Sequence, residues 1–160
     1  TRRSSDGTAV GKRGRMFTKG YAGPIEVVTV GIAPDELLLE SIQAAVDAHD
    51  VQNGAVVSGI GTLKFCRMHH IKHSEFPPDD RFYEIEEPLE VSNISGIIAG
   101  GEPHLHMTVG FRDEWSLAGH LEPGCVVLYL AEVVILKFND LRMARHFDET
   151  RKISLLGDES

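Results

Sequence analysis

One stretch constrains the fold of this chain more than any other: Cys125-Val126-Val127-Leu128-Tyr129-Leu130-Ala131-Glu132-Val133-Val134-Ile135-Leu136. It is apolar, β-branched and only once interrupted, by Glu132. It is too short to span a bilayer, which needs about 20 apolar residues in a helix. It reads as a strand, and an antiparallel strand with one wet face would alternate apolar and polar residues. Here both alternating faces are apolar, so both need a cover.

The rest of the chain offers little else to supply that cover. A single amphipathic segment is legible. Pro34 suits a first helical turn, with Asp35 and Glu36 complementing the helix dipole. Leu38, Leu39, Ile42, Ala45 and Val46 then recur at helical spacing through Asp50, and Asn53-Gly54 ends the segment. One helix of about sixteen residues covers only part of one sheet face. Self-association in a closed symmetric assembly is the ordinary way to cover the other.

Everything else reads as strand and turn. Ile25–Val30 is β-branched throughout. Gly54–Ile60 and Leu63–His73 are expected as two strands separated by a tight break at Gly59-Ile60-Gly61-Thr62. Pro77-Pro78-Asp79-Asp80 is a turn. Further strands are expected at Phe82–Glu86, Leu89–Ile98, His104–Phe111, Trp115–Leu121 and Cys125–Phe138. Residues 139–160 are mixed and polar, with Ile153–Leu156 as a short edge strand. The expected class is α+β: one main helix covering a mostly antiparallel sheet. The 160 residues suit a single domain, expected over 21–160 and preceded by a flexible basic arm over 1–20.

Charge is unevenly spread over these two parts. The first twenty residues carry six basic groups against Asp6, and the remaining 140 carry ten basic against 23 acidic groups, net −13. A body this acidic repels nucleic-acid phosphates. DNA contact is therefore expected from the arm, where Lys12-Arg13-Gly14-Arg15-Met16 has the Arg-Gly-Arg core of an AT-hook. Arg13 and Arg15 are the candidate DNA contacts. An AT-hook continues with proline, and Met16 stands there instead. Cys66 and Cys125 form no CxxC pair, which excludes a disulfide scaffold and a cysteine-based zinc ribbon. No charged-then-apolar leader is present in the chain as it stands, and no membrane segment, so the cytoplasm is the expected compartment.

The residues with the most chemistry are His104, His106 and His120. Residues two apart in a strand share a face, so His104 and His106 project together. A turn centred on Asp113 makes paired positions sum to 226 and puts His106 opposite His120. Three imidazoles on one face suit zinc, leaving its fourth position open. A two-residue turn would shift the register and send His120 to the other face. Glu102 is the nearby acid, a candidate partner of a metal ligand or general base, or ordinary turn decoration. His69, His70 and His73 are expected to be solvent-facing or stacking residues. The glycines at 59–62 precede no helix and make no phosphate cradle.

Several ordered motifs then combine. They are Ser58-Gly59-Ile60-Gly61-Thr62, Glu90-Val91-Ser92-Asn93-Ile94-Ser95-Gly96 and Glu102-Pro103-His104-Leu105-His106, followed by Gly119-His120-Leu121 and Gly124-Cys125-Val126-Val127 running into Ala131-Glu132-Val133. Together they resemble the PPC domain (plants and prokaryotes conserved), of the stand-alone prokaryotic type, over about residues 24–138. The resemblance implies an α+β domain, a mostly antiparallel sheet of about seven strands with one main helix, that assembles as a homotrimer. In plants the domain accompanies AT-hooks in nuclear DNA-binding regulators, and prokaryotic members carry DNA-binding names by that kinship. It also implies a metal held by the histidines matching the HxH and GH motifs, here His104, His106 and His120. Three functions compete: a trimeric DNA-associated regulatory module with a zinc site, a small zinc-dependent enzyme of unstated substrate, and an interaction scaffold whose histidines bind nothing.

Overall fold

Residues 16–159 are described by a computed structural model. In chain order the elements are β1 (Ile25–Ile32), α1 (Leu38–Ala48), β2 (Asn53–Ile71), β3 (Asp80–Ile85), β4 (Leu89–Ala99), β5 (Glu102–Phe111), β6 (Trp115–Leu121), β7 (Val126–Phe138), β8 (Met143–Asp148) and β9 (Ile153–Asp158). Seven strands form one antiparallel sheet with the order β1-β7-β2-β4-β5-β6, and β3 pairs with β2. With one helix among the described residues, the class is α+β, as the pattern of elements predicts.

The break expected at Gly59–Thr62 does not exist. β2 runs straight through it as a 19-residue strand. The glycines serve close packing within the strand. A Cβ on Gly61 would lie 2.5 Å from the Leu130 carbonyl oxygen, and one on Gly59 would lie 2.6 Å from Ile94 Cβ. The strand bends where its pairing with β7 shifts register, between Val56 and Ser58, Gly61 and Leu63, and Leu63 and Phe65. Such irregularities bend a strand and increase its twist. The bend lets the first half of β2 pair with β4 and the far end meet β6, at Met68↔Leu121 and His69↔His120. Strands β2, β4, β5 and β6 therefore close on one another.

The helix starts four residues later than the sequence suggests. Asp35 adopts a left-handed conformation (φ 70°), and the segment before the helix is tied to the start of β7. Asp35 N–H donates to Val127 O (3.0 Å), Leu38 N–H to Cys125 O (2.9 Å) and Val127 N–H to Glu36 O (3.0 Å). Those peptide groups are then not free to open a helical turn, so Pro34 and Asp35 form a turn and only eleven residues are helical. The helix buries Leu38, Ile42 and Val46, each at most 1% exposed, against the sheet. Burial of side chains of this size contributes about 1.5–3 kcal/mol apiece.

Past β7 the chain builds more than the one short strand expected there. β8 and β9 form a separate hairpin whose turn is held by the Asp148 carboxylate, which accepts from the N–H groups of Thr150 and Arg151, both at 2.9 Å. Its base is fixed by the buried Asn53, whose Oδ1 accepts from Met143 N–H at 2.9 Å. A small cluster of Ala99, Leu141 and Met143 gathers Phe17, Tyr21, Phe138 and Leu156 around it. Lys19 reaches Asp158 of this hairpin at 2.6 Å. Phe17 and Lys19, at the end of the basic segment, thus contact the domain. Arg13 and Arg15 lie outside the described residues.

The face of β1, β7 and β2 turned away from the helix is open and largely apolar, with Thr29, Ser58 and Glu132 as its polar members. The register lines up Val27, Leu136 and Ala55, then Thr29, Val134 and Ser58. Val27 is 62% exposed, Val57 50% and Ile60 49%. No helix among the described residues is long and apolar enough to cross a membrane.

Candidate metal centre

The β5–β6 hairpin turns at Arg112-Asp113-Glu114, with Arg112 in the left-handed region (φ 50°). A three-residue turn fixes the register: Phe111 faces Trp115, Met107 faces Gly119 and His106 faces His120. This is the pairing that a turn centred on Asp113 requires. His104 lies two residues back on the same face. The ligand nitrogens of His104, His106 and His120 all lie within 4.8 Å of one another. The ring centroids are separated by 5.5 Å (His104 to His106), 4.8 Å (His104 to His120) and 5.6 Å (His106 to His120).

A fourth imidazole joins them from outside the hairpin. Because β2 meets β6, His69 sits directly across from His120, and the two rings stack at 4.7 Å. Gly119 permits this approach, since a Cβ there would collide with the His69 carbonyl oxygen. The Nδ1 of His69 lies 2.5 Å from Glu122 Oε1, and its Nε2 lies 3.8 Å from Asp80 Oδ2. A carboxylate only accepts, so Nδ1–H donates and Glu122 fixes both the tautomer and the ring plane of His69. His69 was expected to be a stacking or solvent-facing residue, and it stacks; its position beside the other three was not legible. That position depends on a pairing between distant strands, for which the only local signal is a small residue, Gly119, beside His120. His70 faces the other way and meets the Tyr83 hydroxyl at 2.9 Å, and His73 is exposed.

His104 and His120 sit where their neutral forms are favoured. The pKa of His104 is pushed down to about 4, first by burial and then by the Arg145 guanidinium and the other imidazoles. That of His120 is lowered by burial and then by His69, with Glu122 acting in the opposite direction. Neutral imidazoles have a free lone pair, as metal ligation requires. The donor set is three nitrogens with no carboxylate among them, so these residues fit a first-row ion such as zinc. Beside them opens a cavity of about 610 Å³, walled by His69, Asp80 and His104, and by Lys152 and Ser154 of the C-terminal hairpin. Glu102 is exposed at the start of β5 and does not line this cavity, while Glu122 and Asp80 are the carboxylates that face His69.

Comparison with known proteins agrees with the fold. The family model of the Plants and Prokaryotes Conserved (PCC) domain matches residues 19–139. The chain belongs to this family. Over 126 residues the PCC chain is 26% identical to the bifunctional protein GlmU of Synechococcus sp. (strain JA-3-3Ab). The match covers 79% of this chain but 19% of that protein, so the chain spans about a fifth of the length of the curated relatives it matches. A metal-containing protein from Archaeoglobus fulgidus superposes with a TM-score of 0.74 at 19% identity, over 88% of this chain and 100% of that one. A "putative dna binding protein" from Bacteroides thetaiotaomicron gives 0.72 at 20% identity, over 88% and 98%. Both share the fold of this PCC domain.

The depressed value at His104 has a measurable consequence. Because the folded form resists protonation, the contribution of His104 to stability is fully present above about pH 6.5 and is lost as pH falls toward 4. In metal-free protein, NMR titration of the imidazoles should find His104 neutral down to about pH 5, with urea stability declining between pH 6.5 and 4. A His104 midpoint near 6.5 would contradict this.

Proposed function

We propose that this PCC domain is a homotrimeric, cytoplasmic regulatory module with a zinc site, and that its basic arm makes any contact with DNA. The observation that carries the reading is the convergence of His104, His106 and His120 from one hairpin, with all ligand nitrogens within 4.8 Å. In this reading the three imidazoles hold zinc, His69 buttresses His120 by stacking, and Glu122 holds His69 in place. Bound zinc would supply Lewis acidity at its open position. The metal-containing fold neighbour and the DNA-binding name of another support the reading by analogy of fold alone. Zinc analysis tests it directly. About one zinc per chain is expected, with loss in His104→Ala or His120→Ala and release in acid, since protonated imidazole cannot ligate. Full occupancy in both variants would end the assignment.

The cavity beside the histidines favours a second reading, a small zinc-dependent enzyme. A structural site has no need of a cleft of about 610 Å³ at its open side. Glu102, exposed and not lining the cavity, is then a weaker candidate for moving protons than the geometry around His69 and Glu122.

Self-association follows from the open face of β1, β7 and β2. Val27, Val57 and Ile60 are about half exposed or more on a sheet face the helix does not reach. Three copies are selected by the family resemblance, and the apolar face itself requires only some partner. Light scattering should give a trimer, and Val134→Glu, which puts a charge at the centre of that face, should give a folded smaller species. A well-folded wild-type monomer at micromolar concentration would refute the proposal.

DNA contact is assigned to residues 1–20, with Arg13 and Arg15 as the contacts, because the remainder carries net −13. Removing the arm should abolish any binding and its salt dependence in a filter-binding or anisotropy assay. Tight, sequence-specific binding by residues 21–160 would overturn the assignment.

A further inference from the structure

The two cysteines lie far apart in the sequence, and the sheet brings them together. The antiparallel ladder of β2 and β7 pairs Phe65 with Val126. One step further along the same register would set Cys66 across from Cys125, whose sulfur reaches the backbone of the next residue, Arg67. Both are 0% exposed and belong to the same core. Cys125 Sγ accepts from the N–H of Arg67 at 3.1 Å, and its S–H reaches the Arg67 carbonyl at 3.2 Å. The two thiols lie close enough to perturb one another's titration. Residues directly opposite in an antiparallel pair have Cα atoms about 4.5–5.5 Å apart, inside the roughly 4.4–6.8 Å range that a disulfide spans.

We infer that Cys66 and Cys125 form a peroxide-oxidisable dithiol that closes to an intramolecular disulfide between β2 and the loop leading into β7. The chemistry balances with hydrogen peroxide as the oxidant. Cys125, as thiolate, attacks one peroxide oxygen. The O–O bond breaks, and the departing hydroxide takes up a proton to become water, leaving a sulfenic acid on Cys125. The Cys66 sulfur then attacks the Cys125 sulfur, the S–S bond forms, and hydroxide leaves with the Cys66 proton as a second water. Two thiols lose two electrons, and one peroxide is reduced to two waters.

The environment distributes these roles. The neighbouring Cys66 thiol draws Cys125 below the ordinary thiol range, and Cys125 in turn, with burial next, pushes Cys66 up. Cys125 is therefore the attacking sulfur and Cys66 the resolving one. Since neither is exposed, reaction waits on opening of the loop at Glu122-Pro123-Gly124. The same loop continues into the candidate centre. Glu122 N–H donates to Arg67 O at 3.2 Å, Met68 pairs with Leu121, and His69 pairs with His120. A disulfide would fasten the foot of the ladder whose other end carries the stacked histidines.

The test uses the full chain, reduced and then freed of reductant, with hydrogen peroxide as the probe. Unfolding and alkylation with N-ethylmaleimide should count two thiols before oxidation and none after, with a loss of about two mass units. Trypsin should release Phe65–Arg67 joined to Asp113–Lys137. The melting temperature should rise by about 5–10 °C, reversibly with dithiothreitol. In Cys66→Ala, dimedone should trap a sulfenic acid on Cys125, while Cys125→Ala should keep its thiol. Exposed Met16 serves as an internal gauge of oxidant dose. Two alkylatable thiols surviving doses that convert Met16 to the sulfoxide would overturn the inference, and so would cross-links found only between chains. The wild-type peptide map decides the matter even if a variant fails to fold.

Discussion

The structure hangs on the backbone of β2. Nineteen residues in one strand hydrogen-bond to β7 and β4 along the first part and to β3 and β6 along the last. A straight strand could not do both, because a flat sheet keeps its edges apart. The register shifts between Val56 and Phe65 supply the bend, and the glycines at 59 and 61 let neighbouring chains close in where side chains would collide. The bend closes the ring of β2, β4, β5 and β6. Without it, His69 would be a surface residue remote from the β5–β6 hairpin.

That closure also sets the electrostatics of the histidine group. Burial penalises the charged forms of His104 and His120, and neighbouring imidazoles add to it. The result at His104 and His120 is a preference for neutrality, which is the state that ligates metal. Glu122 contributes differently. By holding Nδ1 of His69 it orients the ring that stacks on His120, so an acidic group sits one residue removed from the three-nitrogen cluster without entering it. Partners that orient the rings around a metal commonly matter nearly as much as the ligands do.

Local features were legible in the sequence, and long-range ones were not. The His106–His120 pairing follows from one turn and simple counting, because a hairpin register is set within fifteen residues. The strand-rich pattern and the single helix follow from periodicity, although it divides β2 in two. The helix start was misplaced because Pro34, Asp35 and Glu36 have the chemistry of a first turn, while their peptide groups bond to a strand ninety residues downstream. Gly59 and Gly61 read as a break because glycine marks both turns and close approaches, and only the tertiary partner decides which. His69, Glu122 and the meeting of the two cysteines all depend on where the far end of β2 lands. No window of sequence contains that information. The C-terminal hairpin was half visible: Ile153–Leu156 has a strand's composition, but its partner, Met143–Asp148, is too polar to announce itself.

The open apolar face and the basic arm bear on one another through assembly. A single arm with net charge +5 joined to a body of −13 makes a poor ligand for a polyanion, because attraction at the arm is opposed by the rest of the surface. Association through the face of β1, β7 and β2 would change the balance without changing any contact. The arms of the proposed trimer would be tethered to one body, so binding by the first would raise the effective concentration of the others. Each arm added also releases further counterions, which steepens the salt dependence of the whole. On this view the apolar face of the domain and its charged tail are parts of one device. In the proposed assembly the acidic body would oppose non-specific attachment to a polyanion, since each arm arrives with its own net −13 body.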